Sequence, residues 1–173
     1  MFAVEHSKIK PDIICLAKGI ASGFPLGAFI SKKSLSKKWP AGAHGSTYTG
    51  NPVGCKAGLA TIDVIEKEKL CKNSEKLGKY LKGVILSMKS KYPFIGDVRG
   101  IGLMLGVEIV GPKNKSNPKL VKKILKSALE KKLILISCGS DYQVIRLIPP
   151  LNINKNDLDK GINILKKVFK EVN

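Results

Sequence analysis

The sequence predicts an α/β fold. Short apolar runs of strand length lie between turn residues, and longer stretches carry apolar residues at helical spacing with lysines between them. In the later half of the chain the two kinds of segment alternate, which is typical of a small α/β layer. No apolar run approaches the roughly 20 residues that a bilayer span requires, so no membrane-spanning helix is expected.

The first element is a strand that ends at a lysine. Residues 13–17 form a buried-type apolar run of strand length, and Lys18 follows directly, before a stretch rich in glycine. Small residues let a flat ligand approach the backbone, and an apolar floor would lower the lysine pKa, so that the amine could act as nucleophile and base. Spacing alone leaves two alternatives open, a Schiff-base lysine and a lysine that snorkels from a strand end, and it favours the second.

The second candidate site is a loop rich in glycine and hydroxyl residues. Residues 26–30 predict a strand that returns from the lysine turn, and the loop spans residues 39–52. Within it, Ser46 and Thr47 could form an anion-binding nest from hydroxyls and free backbone amides. A plain Gly/Ser turn is the other interpretation, and the loop in isolation favours it.

Two helices follow the loop. Asn51 and Pro52 are a favourable cap and first residue for a helix over residues 53–68, whose dipole would assist anion binding at the loop. Apolar residues at helical spacing predict a second helix over about residues 73–91, ended by Pro93. The apolar stripe of the second helix is interpreted as a core-packing surface.

The remaining chain alternates strands and helices. A strand is predicted within residues 97–109, entered through Gly100 and Gly102, because the segment lacks the spacing of a dinucleotide-binding loop. Arg99 in this segment is expected to pair with Asp97 rather than to hold a carboxylate.

A late arginine is the third candidate site. A helix over residues 120–129 precedes strands at 133–137 and 144–148, and a helix over 158–169 closes the chain. Arg146 lies within the second of these strands, where a lone cation must find an anionic partner or lie at a cleft. A bound carboxylate and an internal ion pair are both open, because the guanidinium fork suits either.

Composition favours a lysine-rich globular protein. The net charge is +18, and Arg99 and Arg146 are the only arginines. Such a charge suits polyanions, but the lysines are spread over expected helix faces with few aromatics among them, which disfavours specific nucleic-acid recognition. The cysteines lack paired spacing, so neither a disulfide nor a metal site is expected.

Together, the lysine, the hydroxyl loop and the late arginine resemble the class III aminotransferases, which are pyridoxal-phosphate (PLP) enzymes of fold type I. The segments that carry the resemblance are PDIICLAKGIASGFPLGA, HGSTYTGNP, DVRGIGLMLGVEI and VIRLIPPLNI. The resemblance covers nearly the whole chain. It implies the C-terminal part of a PLP fold type I transferase, with the end of the large-domain sheet, the active lysine and the phosphate loop in residues 1–52, linking helices in 53–91 and a small α/β domain in 92–173.

The resemblance also implies residue roles. Lys18 would form the Schiff base with pyridoxal 5′-phosphate and move the substrate proton, and Ser46 and Thr47 would hold the phosphate, the threonine reaching across a homodimer. Arg146 would bind the substrate carboxylate. The implied reaction is cytoplasmic transfer of an amino group from an amino acid to a 2-oxo acid, and the segment LILISCGSDYQVIRLIPP is most similar to 4-aminobutyrate aminotransferases.

Several alternatives stay open. Acetylornithine and ornithine aminotransferases share most of these motifs, an amino-acid racemase uses the same cofactor and lysine, and a non-catalytic remnant or a polyanion-binding protein needs neither. In the family, most of the large domain precedes the lysine, including the aspartate that pairs with the cofactor ring nitrogen, and Asp12 lies too close to Lys18 to replace it. The sequence therefore predicts a truncated or split enzyme, inactive or nearly so without an N-terminal half.

Overall fold

The computed structural model describes residues 1–173, which divide into two units. The first unit is Met1–Lys69 and the second is Leu70–Asn173. The boundary falls between two consecutive helices, inside the segment 53–91 that the sequence predicts to link two domains. No helix combines the length and the apolar character that crossing a bilayer requires.

The first unit consists of one pair of strands, one long helix and shorter helical turns. Its elements are a 3-10 helix at Ala3–Ser7, β1 at Ile13–Leu16, a 3-10 helix at Lys18–Ala21, β2 at Ala28–Ser31, α1 at Lys33–Ser36 and α2 at Pro52–Lys67. The strands are antiparallel, with Ile13 opposite Ser31 and Leu16 opposite Ala28. Both predicted strands are thus confirmed, and the second returns from the lysine turn.

The predicted burial of β1 is wrong. Ile13 is 47% exposed, and Ile30 on the partner strand is 51% exposed. A sheet of only two strands cannot cover its own faces, so alternate side chains stay in contact with water. Ala21 is the only hydrophobic side chain of this unit that is fully buried.

The second unit is a four-stranded antiparallel sheet with the strand order β3-β4-β6-β5. Its elements are α3 at Leu70–Ser87, β3 at Ile95–Ile101, β4 at Met104–Ile109, a 3-10 turn at Pro112–Asn114, α4 at Pro118–Glu130, β5 at Ile136–Cys138, β6 at Val144–Leu147 and α5 at Lys155–Val172. The predicted helices and late strands are confirmed with shifted boundaries: α3 ends at Ser87 rather than near residue 91, and residues 133–135 lie outside the β5 ladder.

The single strand predicted within residues 97–109 is wrong, because the segment forms the β3–β4 hairpin. Gly100 and Gly102 have φ values of +139° and +55°, which glycine adopts without a Cβ clash. The hairpin also approaches α3 closely, since a Cβ added to Gly78 would lie 2.0 Å from the Gly102 carbonyl oxygen. Gly100 and Gly102, which the sequence predicts to lie at the entrance of a single strand, therefore form the turn of a hairpin that packs on α3.

One face of this sheet forms a hydrophobic core with the three helices. Strand residues alternate between faces, and Leu105, Val107 and Ile109 of β4 are each at most 1% exposed. The helix residues buried in the same cluster include Leu81, Ile85, Ile124, Leu165, Val168 and Phe169. The second unit thus has its own core, and the opposite face of its sheet carries the charged residues Arg99, Glu108 and Arg146.

Candidate active site

Lys18 lies directly after β1, at the first position of the 3-10 helix Lys18–Ala21. Its side chain is exposed and makes no hydrogen bond or ion pair. The expected apolar floor beneath the amine is therefore not formed within this unit. Its φ is +56°, a left-handed conformation that costs a non-glycine residue about 1–3 kcal/mol and persists where neighbouring structure holds it.

The turn that follows Lys18 is held by α2. Ser22 Oγ and Thr61 Oγ1 are 3.0 Å apart, and Thr61 Oγ1 donates its proton to a backbone carbonyl one turn earlier at 2.9 Å. Ser22 must therefore be the donor to Thr61. Gly58 lies against the same segment, because a Cβ there would come within 2.8 Å of Leu26 Cδ2.

The face of α2 that packs against the lysine turn is not the apolar face that the sequence predicts. The apolar pattern places Leu59 and Val64 on the packing side, but they are 59% and 45% exposed. The fully buried residues of α2 are Gly54 and Gly58. Their spacing of four residues puts both glycines on one helix face, and this spacing is the signal that could have identified the face.

The hydroxyl loop lies directly before α2. The Tyr48 amide donates to Ser46 Oγ at 3.3 Å, so the Ser46 hydroxyl keeps its own proton for another acceptor. Thr47 makes no hydrogen bond through its hydroxyl or its amide, and the amides of Gly45 and Ser46 have no acceptor either. The loop therefore offers several unused donors, which is the property of an anion nest.

The α2 N-terminus contributes its dipole but few free amides. Asn51 Oδ1 accepts hydrogen bonds from the Val53 and Gly54 amides at 3.0 and 3.1 Å, and the Asn51 carbonyl accepts one from Cys55 at 2.9 Å. Pro52 has no amide hydrogen. An anion at this position would be bound by the loop itself, with the helix adding a favourable field.

Arg146 lies in the middle of the sheet of the second unit. Its neighbours across the ladder are Gly106 on β4 and Ile136 on β5. The guanidinium forms no ion pair, and its Nε is buried without an acceptor, so the internal ion pair left open by the sequence is not formed. Arg146 also lines an apolar cavity of about 500 Å³. A cation with an unpaired donor at such a wall favours an external anion.

A second arginine lies on the same open face. Arg99 is opposite Gly106, which is opposite Arg146, and residues opposite each other share a face. Arg99 Nη1 donates to Glu108 Oε2 at 2.6 Å and to Asp97 Oδ2 at 3.0 Å. These hydrogen bonds raise the pKa of Arg99 and lower the pKa of Asp97. The expected Asp97 pair is confirmed, and Arg146 is the arginine whose charge is uncompensated.

The predicted site residues are divided between the two units. Lys18, Ser46 and Thr47 belong to the first unit, where α2 contacts the lysine turn along its length and carries the hydroxyl loop at its start. Arg146 belongs to the second unit. Lysine amines form Schiff bases with carbonyl compounds, and Lys18 offers such an amine without a competing partner.

Comparison with known proteins identifies the family. The family model Aminotransferase class-III matches residues 1–169, and the chain belongs to this family. The chain is 37% identical over 98% of its length to acetylornithine aminotransferase of Clostridium acetobutylicum. It is 39% identical over 99% of its length to 4-aminobutyrate aminotransferase of Escherichia coli and, equally, to leucine/methionine racemase of Thermococcus litoralis.

The same comparisons confirm the fold. A transaminase from the marine bacterium Virgibacillus superposes with a TM-score of 0.91 at 31% identity, over 99% of this chain and 42% of that chain. The α/β fold is therefore that of the fold type I aminotransferases. The chain spans only 42%, 41% and 39% of the length of the three curated relatives.

Class III aminotransferases depend on pyridoxal 5′-phosphate, and the residues of the first unit fit this cofactor. Lys18 presents an accessible amine with no competing partner, and Ser46 and Thr47 present unused donors suited to a phosphate. Asp12, excluded by the sequence as a partner for the cofactor ring, is paired with Lys32 at 2.6 Å.

Proposed function

We propose that this chain supplies the lysine, the phosphate loop and the carboxylate-binding arginine of a PLP-dependent aminotransferase. The reaction transfers an amino group from an amino acid such as 4-aminobutyrate to a 2-oxo acid. The observation that carries the proposal is the Lys18 amine, which is exposed and unpaired at the exit of β1 in a left-handed backbone conformation.

Lys18 acts as the covalent anchor and as the proton carrier. When bound, pyridoxal phosphate supplies an electron sink for charge that develops at the substrate Cα. Lys18 Nζ would hold the cofactor covalently, and the same amine would accept and return the proton at the substrate Cα. The contact between Ser22 and Thr61, at 3.0 Å, limits movement of the turn from which this amine extends.

Ser46, Thr47 and Arg146 bind the two anionic groups that the reaction involves. The Thr47 hydroxyl and the loop amides donate to the cofactor phosphate, and Ser46 donates with the proton that its contact with Tyr48 leaves free. Arg146 binds the substrate carboxylate, and its buried Nε gains the acceptor that it lacks within the chain.

We infer that the working enzyme contains more polypeptide than this chain. Its relatives are more than twice as long as the segment matched here, and the first unit exposes apolar side chains such as Ile13, Ile30 and Leu59. Exposed apolar surface of this kind is suited to burial against another polypeptide. We therefore expect a complementary N-terminal half, a homodimer of the assembled enzyme and little activity from the chain alone.

Cofactor labelling tests the proposal. The chain is mixed with pyridoxal phosphate, with and without the candidate N-terminal half, reduced with borohydride, and digested to map the modified lysine. We expect labelling at Lys18 when both halves are present. Lys18→Ala should abolish that label, whereas Lys10→Ala, at another exposed and unpaired lysine, should preserve it.

The other outcomes separate the parts of the proposal. Labelling at Lys18 by the chain alone would contradict the requirement for a second half while supporting the cofactor role. A folded mixture that shows no preference for Lys18 among the lysines would contradict the cofactor role itself, and a non-catalytic remnant would then be the better interpretation.

A racemase is the second candidate, because leucine/methionine racemase matches this chain as well as 4-aminobutyrate aminotransferase does. The two reactions share the lysine and cofactor but differ in the fate of the amino group. Transfer of that group to 2-oxoglutarate from 4-aminobutyrate, acetylornithine or ornithine supports an aminotransferase and identifies its donor. Loss of optical activity of leucine without any keto acid product supports a racemase.

A further inference from the structure

A cavity of about 320 Å³ in the second unit is lined by lysines and has no carboxylate in its wall. The cations are Lys91, which follows α3, and Lys166, Lys167 and Lys170 in the last turns of α5. None of the residues proposed for catalysis lines this cavity. Its charge is therefore not explained by the aminotransferase reaction.

The cavity lysines on α5 differ in their pairing from the lysines at the start of that helix. Lys155 and Lys160 pair with aspartates about one turn away, at 2.6 and 2.7 Å. The cavity lysines form no ion pair, and Lys91 Nζ instead lies 5.6 Å from the centroid of the Tyr92 ring. Like charges at helical spacing repel one another, so a bound anion would relieve a repulsion already present.

The apolar side chains that line the cavity strengthen the attraction between its lysines and an anion. Met88 and Tyr92 line it and are only 6% and 4% exposed, and charges interact more strongly beside an apolar, low-dielectric surface. The Tyr92 hydroxyl makes no hydrogen bond within the chain. It is therefore a neutral donor that can supplement the lysines.

We propose that this cavity, formed around Lys91, Lys166, Lys167 and Lys170, binds a compact, multiply charged phosphate anion. Lysine binds phosphate as a point charge with three donors, whereas carboxylate pairs favour the planar fork of arginine, which is absent from the cavity. Tyr92 is too buried to stack on a base, so the phosphate chain is the part recognised. A short inorganic polyphosphate and the triphosphate of a nucleotide both carry this chemistry.

Calorimetric titration of the full chain with tripolyphosphate tests the proposal. The variant Lys166→Gln/Lys170→Gln should bind about tenfold more weakly, because two close charges are lost. The control Lys122→Gln/Lys126→Gln removes the same charge at the same spacing from exposed, unpaired positions on α4. It should change the affinity by less than about twofold, since distant charges are screened at physiological salt.

Titrations with further ligands distinguish the possible sources of the phosphate and test whether the proposal fails. Equal affinity for ATP and tripolyphosphate supports recognition of the phosphate chain from either source. Tighter binding of ATP would show that the base or ribose is also recognised and would contradict recognition of the phosphate chain alone. Citrate binding as tightly as tripolyphosphate would show that the cavity does not select phosphate and would overturn the proposal. Equal losses in both double variants, or tighter binding of a single-stranded oligonucleotide that both variants weaken alike, would indicate a diffuse polyanion surface instead.

Discussion

The two units of the chain differ in how much apolar surface each one buries for itself. In the second unit one face of a four-stranded sheet is covered by three helices, and strand residues such as Val107 and Ile109 are fully buried. In the first unit Ala21 is the only fully buried hydrophobic side chain, and Ile13 and Ile30 are about half exposed. The lysine and the hydroxyl loop therefore lie in the unit with the weaker core.

This difference bears on the chemistry. A residue in the left-handed region, as Lys18 is, needs surrounding contacts to hold it there. Within the first unit such contacts come from α2, through Gly58 and the Ser22–Thr61 bond. Arg146, in contrast, is fixed by ladder partners on both sides. We therefore expect the arginine to be preorganised and the lysine to gain order from additional polypeptide.

The largest effect should come from the core of the second unit. Phe169 is fully buried and lies 5.3 and 5.6 Å from the Phe94 and Tyr92 rings. Phe169→Ala should lower the free energy of unfolding by about 3–5 kcal/mol. Leu129→Ala, at a position 62% exposed on α4, should change it by less than about 1 kcal/mol.

Hydrogen exchange read by mass spectrometry checks this prediction for each unit separately. The wild-type chain should show slower exchange in the strands of the second unit than in β1 and β2. Phe169→Ala should accelerate exchange across the second unit. Equal protection of both units in the wild-type chain would contradict the comparison on which the prediction rests.

Glycine substitutions compare the packing of the two units directly. A Cβ on Gly78 would meet the Gly102 carbonyl oxygen at 2.0 Å, whereas one on Gly58 would meet the tip of the Leu26 side chain at 2.8 Å and backbone only at 3.6 Å. Backbone cannot move aside as a side chain can, so Gly78→Ala should destabilise by about 2–3 kcal/mol and Gly58→Ala by less than about 1 kcal/mol.

Gly83 provides the matched control on α3. It is exposed and a Cβ there would meet no atom within 4 Å. Gly83→Ala should therefore stabilise by about 0.5–1 kcal/mol, because alanine loses less backbone entropy in a helix. Urea unfolding followed by circular dichroism measures all three variants, and a cost at Gly58 equal to that at Gly78 would show that the first unit is as rigidly packed as the second.

The helix caps offer a smaller test. Asn51 caps α2 through two amides, and Asn154 caps α5 through the Asp157 amide at 2.9 Å. Each substitution to alanine should cost about 1 kcal/mol. Exchange of the first-turn amides should accelerate more in α2 than in α5, because the core of the second unit holds α5 in place. The reverse order would contradict this dependence on the core.

Local signals in the sequence were sufficient for some features and not for others. The pair Asn51–Pro52 predicts the start of α2, since cap and first residue act within a few positions. The hairpin at Gly100 and Gly102 was missed because the pairing of its two halves and its close approach to Gly78 on α3 are not visible in the apolar pattern of the segment. The burial of β1 was mispredicted for a related reason, since an apolar run does not show whether other strands cover it.

The candidate site could be predicted from the sequence only as far as local signals allow. The strand-end position of Lys18 and the loop position of Ser46 and Thr47 follow from order along the chain. Whether Arg146 or Arg99 carries a free charge depends on sheet register, which places Glu108 beside Arg99 and only Gly106 and Ile136 beside Arg146. Spacing left the role of Arg146 undecided because cross-strand partners are not local in sequence.

The smallest expected effect is a pH dependence on the open face of the second unit. The hydrogen bond from Arg99 lowers the pKa of Asp97 from its ordinary value of 3.8. A group whose folded-state pKa is lowered contributes stability above its unfolded pKa and loses it as the pH falls through the folded value. Both side chains are more than half exposed, so the contribution should be below about 1 kcal/mol. The difference in urea midpoint between the wild-type chain and Arg99→Gln should therefore be constant from pH 7 down to about pH 5 and shrink between about pH 4 and pH 2.

Lys122→Gln, which removes an exposed charge without a partner, should show no such change over that acid range. A midpoint difference for Arg99→Gln that persisted undiminished at pH 2 would mean that the arginine stabilises the sheet by packing rather than through its carboxylate partners, Asp97 and Glu108.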